Sequence, residues 1–416
     1  MGRVWRLLGP GLITGASDDD PSGIGTYSKA GAQLGYTMGW TMLVAYPLMV
    51  GIQEISARLG RTTGCGIAGN LRRCYPGWLL QGIVGLLLVA NTINIGADLG
   101  AMGDAASLVV GGPRLPYIVA FCAACAVAPV LMRYARYVAL LKWMTLSLFA
   151  YVAVLLTSTV QWEAALRGIF VPSLTWSSDY FTTLVAIFGT TISPYLFFWQ
   201  ASQEAEEQRI NRGEKPLVEA PAQARKAFER IRLDTIIGMA FSNLVALAII
   251  TASAATLHAA GNTAVATSAE AAAALRPIAG ELASVLFALG IVGTGLLAVP
   301  VLAGSAAYAV GEASKWKVGL ARKPRQAVAF YSILVLATGA GALLNFTSLD
   351  PIRALYWSAV VNGVVAVPVM TVMMLMTARR QVMGKFTING GLRWLGWATT
   401  ATMAGCAVAM ALTWSL

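Results

Sequence analysis

The stretch Thr14-Gly15-Ala16-Ser17-Asp18-Asp19-Asp20-Pro21-Ser22-Gly23-Ile24-Gly25 decides the fold. It interrupts an apolar run from about residue 8 to residue 34, long enough to cross a hydrocarbon core about 30 Å thick. Each carboxylate at the centre of a membrane helix costs roughly 2.5–3.5 kcal/mol, so three in a row must face a cavity, a cation or water. Pro21 removes a backbone donor and turns Asp20 away from helical geometry, and the two glycines loosen the chain further. The run therefore reads as two half-helices around an unwound segment. Irregular backbone is tolerated at membrane depth only where it lines a cavity or binds something. The alternative, a solvated loop between two interfacial helices, leaves two apolar pieces each too short to span alone.

A second run repeats the device. In Phe188-Gly189-Thr190-Thr191-Ile192-Ser193-Pro194-Tyr195-Leu196-Phe197, a glycine, two threonines, a serine and a proline interrupt apolar sequence. A lone proline kink would be ordinary in a membrane helix. Its position says more: Pro194 follows Pro21 by 173 positions, and the two breaks fall in the first and sixth of about eleven apolar spans. Interrupted helices at corresponding places in two halves mark the binding site of an inverted-repeat transporter. Five spans is an odd number, so the second repeat must be inverted.

The spans fall at about 8–34, 37–58, 77–110, 115–132, 137–159, 180–207, 233–257, 277–308, 325–346, 352–377 and 391–414. Residues 1–160 form the first repeat, 161–378 the second, and 379–416 an additional span. The composition agrees: 57% of the 416 residues are hydrophobic and 12% charged, about half the charged share of a soluble protein. The net charge of +11 does not point to nucleic acid, because the basic residues sit in short connectors rather than on one face. With the N-terminus inside, 25 of the 30 Lys and Arg fall on the inner side. This places the chain in the cytoplasmic membrane, N-terminus cytoplasmic and C-terminus outside. The expected partners are the lipid bilayer and the transported species, with no nucleic acid and a monomeric chain.

Carboxylate, hydroxyl and carbonyl oxygens are hard ligands, suited to Mg²⁺, Ca²⁺ and Mn²⁺, and no Cys or His stands near either break. Asp20 is the principal candidate anion, with Asp19 adding field and Thr190, Ser193 and the Ser17 carbonyl as companions. Asn91, Asn94 and Asp98 are spaced to share one face of the third span. That stripe either lines an ion pathway or ties helices together, and Glu54 and Asn362 carry the same two readings. Glu204, Glu206 and Glu207 read as a solvated inner vestibule, and His258 as a surface residue at the outer end of span 7. Cys122 and Cys125 form a CxxC in an apolar helix without further soft ligands, which reads as packing. Asp98 and Asp104, six apart, do not stack on one helical face, so an intramembrane hydrolase is not expected.

Gly9-Pro10-Gly11, Asp20-Pro21, Ala30-Gly31-Ala32, Ser56-Ala57-Arg58-Leu59-Gly60, Ala97-Asp98-Leu99 and the break in span 6 together resemble the Nramp family of divalent-metal transporters over nearly the whole chain. The resemblance implies an all-α membrane protein of LeuT type with a 5+5 inverted repeat and spans 1 and 6 unwound. The departures are specific. The family's Asp-Pro-Gly-Asn is here Asp20-Pro21-Ser22-Gly23, so Gly23 stands where the asparagine would be. Its Met-Pro-His is Ser193-Pro194-Tyr195, its second span-6 histidine falls at Gln200, and its span-3 glutamate falls near Ala101. The span-9 arginine has no counterpart within 326–346. In the family the methionine sulfur favours transition metals, so Ser193 should relax that exclusion.

This pattern is similar to the Nramp-related magnesium transporter branch. The resemblance implies passage of Mg²⁺ and also Mn²⁺ as transported substrates, with no cofactor and no proton coupling. Asp98, Asn94, Tyr195, Gln200 and Asn362 are the expected pathway residues. A proton-coupled Mn²⁺/Fe²⁺ symporter is the alternative, motivated by Asp98. An organic-solute transporter on the same fold is disfavoured by three acids beside the break.

Overall fold

The computed structural model describes residues 10–131, 148–157, 160–211, 213–265, 267–346 and 350–414. The described residues form helices, turns and connectors without a strand. Helices α1 (Pro10–Asp18) and α2 (Pro21–Leu34) share the first apolar run. They are followed by α3 (Gly39–Thr63), α4 (Ile67–Cys74), α5 (Gly77–Val110), α6 (Arg114–Leu131) and α7 (Phe149–Thr157). After α8 (Trp162–Phe170), the second interrupted run is divided into α9 (Ser178–Thr191) and α10 (Pro194–Ile210). The remaining long helices are α11 (Ala224–Ser253), α12 (Ala283–Ala313), α13 (Val328–Leu343), α14 (Pro351–Thr377) and α15 (Gly390–Trp414).

Eight of the apolar segments among the described residues are long and hydrophobic enough to cross a membrane. Of the eleven expected spans, 8–34 becomes two half-helices, and 37–58 becomes α3, whose Gln53, Glu54, Arg58 and Arg61 dilute its hydropathy. The fifth expected span, 137–159, lies largely outside the described residues; α7 is its described part.

Both breaks follow from local chemistry. Asp20 is extended, with φ −71° and ψ 170°, and its carboxylate accepts from the Gly23 amide while Pro21 opens α2. An aspartate cap followed by proline starts a helix well, because proline lacks the amide that would otherwise need a partner. At the second break Ile192 has φ −122° and ψ 56°, Ser193 is extended, and Pro194 opens α10. Ser193 does not cap α10; its hydroxyl donates backwards to the carbonyls of Gly189, at 2.7 Å, and Thr190, at 2.9 Å. It thereby satisfies acceptors that the end of α9 would leave free.

The half-helices occupy the middle of the bundle. The first pair packs on α11, the second on α3 and α14, and α5 lies against α12 and α14. Small residues allow these approaches. A Cβ on Gly15 would collide with the Gly238 backbone of α11, and one on Gly189 would collide with Ala359 and Gly363 of α14.

Candidate functional site

The residues around the first break face two directions. Asp20 Oδ1 accepts the Gly23 amide at 2.8 Å. Asp20 Oδ2 accepts from Asn94 Nδ2 of α5 at 3.1 Å and from the Tyr195 hydroxyl of α10 at 3.3 Å. The same hydroxyl lies 2.9 Å from the carbonyl of Ser17, to which it donates. Asn94 is itself oriented: Ser358 of α14 donates to its Oδ1 at 2.8 Å. One carboxylate thus gathers the α1–α2 break, α5, α10 and α14.

Asp18 and Asp19 turn the other way, towards Ser242 of α11, which lies 2.5 Å from Asp18 Oδ2 and 3.1 Å from Asp19 Oδ1. The second oxygen of Asp18 has no hydrogen-bond partner among the described residues. Of the three adjacent acids, Asp20 is the one hydrogen-bonded to the second broken run among the described residues.

The other expected site residues divide by position. Thr190 faces the first break, since a Cβ on Gly23 would lie 3.1 Å from its hydroxyl. Ser193 has engaged its hydrogen at the end of α9, which leaves its oxygen's lone pairs uncommitted. No hydrogen bond among the described residues joins it to Asp20. Asp98, one helical turn beyond Asn94, is fully buried, and neither carboxylate oxygen has a hydrogen-bond partner by distance and angle among the described residues. Asn362, one turn beyond Ser358, is also buried, with neither end of its amide paired among the described residues. Gln200 lies further along α10 and is hydrogen-bonded to Thr14 of α1. Every one of these side chains is at most 2% exposed, so the centre is closed to both surfaces.

Several participants were not singled out from sequence. Ser242 and Ser358 are single hydroxyls in apolar runs, and Ser358 could have been found by its four-residue spacing from Asn362. Gln53 of α3 is a further buried amide without a partner among the described residues, one turn from Ser56, whose hydroxyl donates to the Phe197 carbonyl at 2.6 Å. Met102 is adjacent to neither break in sequence, yet it lies near one in space. A Cβ on Gly295 of α12 would touch both the Met102 sulfur and, at 3.2 Å, Pro21, so a thioether packs beside the break. Among the described residues, no three His, Cys, Asp or Glu side chains converge as a metal-binding group. A cation here would rest on one carboxylate with neutral oxygens.

The solvated vestibule expected at Glu204 to Glu207 is not what the structure contains. Glu204 is fully buried and paired with Arg230, which also reaches Glu207 at 2.9 Å. Glu206 accepts from the Tyr308 hydroxyl and from the amides of Leu320, at 3.2 Å, and Ala321, at 2.6 Å. These carboxylates bind α10 to α11 and to the connector after α12. Periodicity put them at a helix end but could not show which cations and amides would meet them there. His258 is exposed as expected, with Nδ1 2.8 Å from the Ala32 carbonyl.

A sequence profile described as "Natural resistance-associated macrophage protein-like" matches residues 11–413. The curated relatives include a divalent metal cation transporter MntH of Pectobacterium carotovorum, 28% identical over 92% of this chain and 88% of the relative. Another, from Chromohalobacter salexigens, is 30% identical over 71% and 68%. Among solved structures, a mutant manganese transporter of Eremococcus coleocola superposes with a TM-score of 0.71 at 17% identity, covering 97% of this chain and 85% of that one. A nucleobase-cation-symport-1 family transporter in a closed conformation gives 0.59 at 15% identity, covering 98% and 90%. At such identities the likeness concerns the fold, and the fold is the expected LeuT type.

Proposed function

Because the chain belongs to the Nramp family, we propose that it carries divalent metal ions across a membrane by alternating access, through a centre between the α1–α2 and α9–α10 breaks. The observation that carries this reading is the Asp20 carboxylate, buried at a helix break and held by Gly23, Asn94 and Tyr195. An anion so placed in a low-dielectric interior favours an entering cation, and the unwound segments offer carbonyls to complete its shell. Asn94 and Tyr195 would orient Asp20, while Ser17, Gly23, Thr190 and Ser193 supply or shape the neutral oxygens, and Asp19 adds field.

We read Mg²⁺ as the principal cargo, with Mn²⁺ also carried. One carboxylate and neutral oxygens suit an ion that keeps part of its water, as Mg²⁺ does. Ser193 supplies a hard oxygen where the family pattern has a thioether. The chain has a single histidine, exposed and far along the sequence from both breaks, which leaves few carriers for a coupled proton. A negative-inside potential would then drive uptake, contributing about 4.6 kcal/mol per 100 mV for two charges. The surplus of Lys and Arg in the inner connectors supports a cytoplasmic N-terminus and a cytoplasmic-membrane location. The matching positions of the two breaks support inverted repeats over 1–160 and 161–378.

Two observations favour a second reading, a proton-coupled Mn²⁺ or Fe²⁺ symporter: Asp98 is buried with no side-chain hydrogen bond shown among the described residues, and Met102 brings sulfur to the break. One experiment separates them. In proteoliposomes under a negative-inside potential, Mg²⁺ and Mn²⁺ should compete for uptake with no acidification of the lumen. Proton entry that tracks Mn²⁺, with no Mg²⁺ uptake, would establish the symporter instead.

A further inference from the structure

Away from the transport centre, a cavity of about 260 Å³ lies between the α3–α4 connector and the C-terminal ends of α10 and α12. Arg72, Arg209 and Lys315 line it. All nineteen Asp and Glu side chains are among the described residues, and none forms an ion pair with any of these three cations. The carboxylate that shares the cavity, Glu312, is already occupied. Its oxygens accept the amides of Gly66, at 2.8 Å, and Gly69, at 2.9 Å, capping the start of α4.

Cations at helix C-termini are often there only to meet the helix dipole. Here that role uses a small part of their capacity. Arg72 gives an N–H to the Glu312 carbonyl, and Arg209 gives its Nε–H to the Ala205 carbonyl at 2.9 Å. The other donors of both planar forks have no partner among the described residues, and such forks match phosphate oxygens two at a time. Lys315 adds a point charge from a left-handed backbone, φ 61°, the one non-glycine residue in that region among those described. That conformation costs of order 1–3 kcal/mol and is kept where the surroundings demand it. Trp316 follows it, lining the same cavity and 43% exposed. Tryptophan and unpaired basic residues at the end of a helical bundle are the usual furniture of the membrane–water boundary.

We propose that this cavity binds the phosphate headgroup of an anionic membrane lipid, with Arg72 and Arg209 holding the phosphate and Lys315 and Trp316 closing over it. The site is independent of the metal centre and of the reading given to it. The test uses the purified full-length protein in neutral detergent, with thermal midpoint and native mass spectrometry as readouts. Phosphatidylglycerol should be retained and should raise the midpoint, while phosphatidylcholine should do neither. The pair Arg72→Gln and Arg209→Gln should weaken the apparent lipid affinity about tenfold. Lys315→Gln, at an exposed position, should weaken it in the same direction and carries the test if the double variant does not fold. Equal retention of both lipids, or unchanged retention by both variants, would overturn the proposal. Protection by inorganic phosphate equal to that by the lipid would overturn the lipid as its source.

Discussion

Replacing Asp20 by asparagine separates two jobs that one side chain performs. Asparagine caps a helix about as well as aspartate, so the bond to the Gly23 amide and the start of α2 should survive. What is lost is a full negative charge. Two unit charges 4 Å apart interact by about 4 kcal/mol at an effective dielectric of 20, and a divalent ion doubles that figure. Water and neutral oxygens that move in to replace the charge recover much of it. A residual loss of about 3 kcal/mol corresponds to roughly a hundredfold in affinity. Uptake of Mn²⁺ or Mg²⁺ into proteoliposomes, at metal concentrations well below saturation, should fall by that factor, with the thermal midpoint near wild type. Asp20→Ala should fail equally in transport and also lose about 0.5–2 kcal/mol of cap stability. If Asp20→Asn kept more than a tenth of the wild-type rate, Asp20 would not be the principal anion of the site.

Tyr195→Phe removes the hydroxyl shared by Asp20 and the Ser17 carbonyl; at about 0.5–1.5 kcal/mol per hydrogen bond, a three- to tenfold weaker apparent metal affinity is expected from titrated uptake. Ser193→Met puts a thioether back at the second break, and Mg²⁺ uptake should fall relative to Mn²⁺ in a competition assay; an unchanged ratio would mean that position 193 does not contact the ion. Glu204→Gln strips Arg230 of its buried partner, and because breaking a buried pair costs about 3–5 kcal/mol, a lowered thermal midpoint should be seen even without metal.

The breaks were legible because proline and its neighbours act through local geometry: Asp20-Pro21 and Ser193-Pro194 stop helices wherever they stand. The direction each acid faces was not. Asp18, Asp19 and Asp20 are adjacent in sequence, yet the first two meet Ser242 and the third meets Asn94 and Tyr195. Those partners come from helices up to 224 residues away, and no periodicity within one helix encodes which face of another it will meet. The same holds for Glu206, whose acceptors are filled by Tyr308 and the amides of Leu320 and Ala321. Hydropathy counted these glutamates as solvated because it weighs charge and cannot see a partner.

The hydroxyl of Ser193 keeps its hydrogen pointed into the end of α9, towards Gly189 and Thr190. To anything arriving from the other side, it behaves as an ether oxygen rather than an alcohol. An ether can offer electron pairs but can donate no hydrogen bond, so a carboxylate, a phosphate or any other electron-rich solute finds no welcome there. If the transported ion meets Ser193 as proposed, the helix that ends at Thr191 would impose a sign on that contact: by borrowing one proton, it leaves an amphoteric group able to accept electrophiles but not to donate to anions.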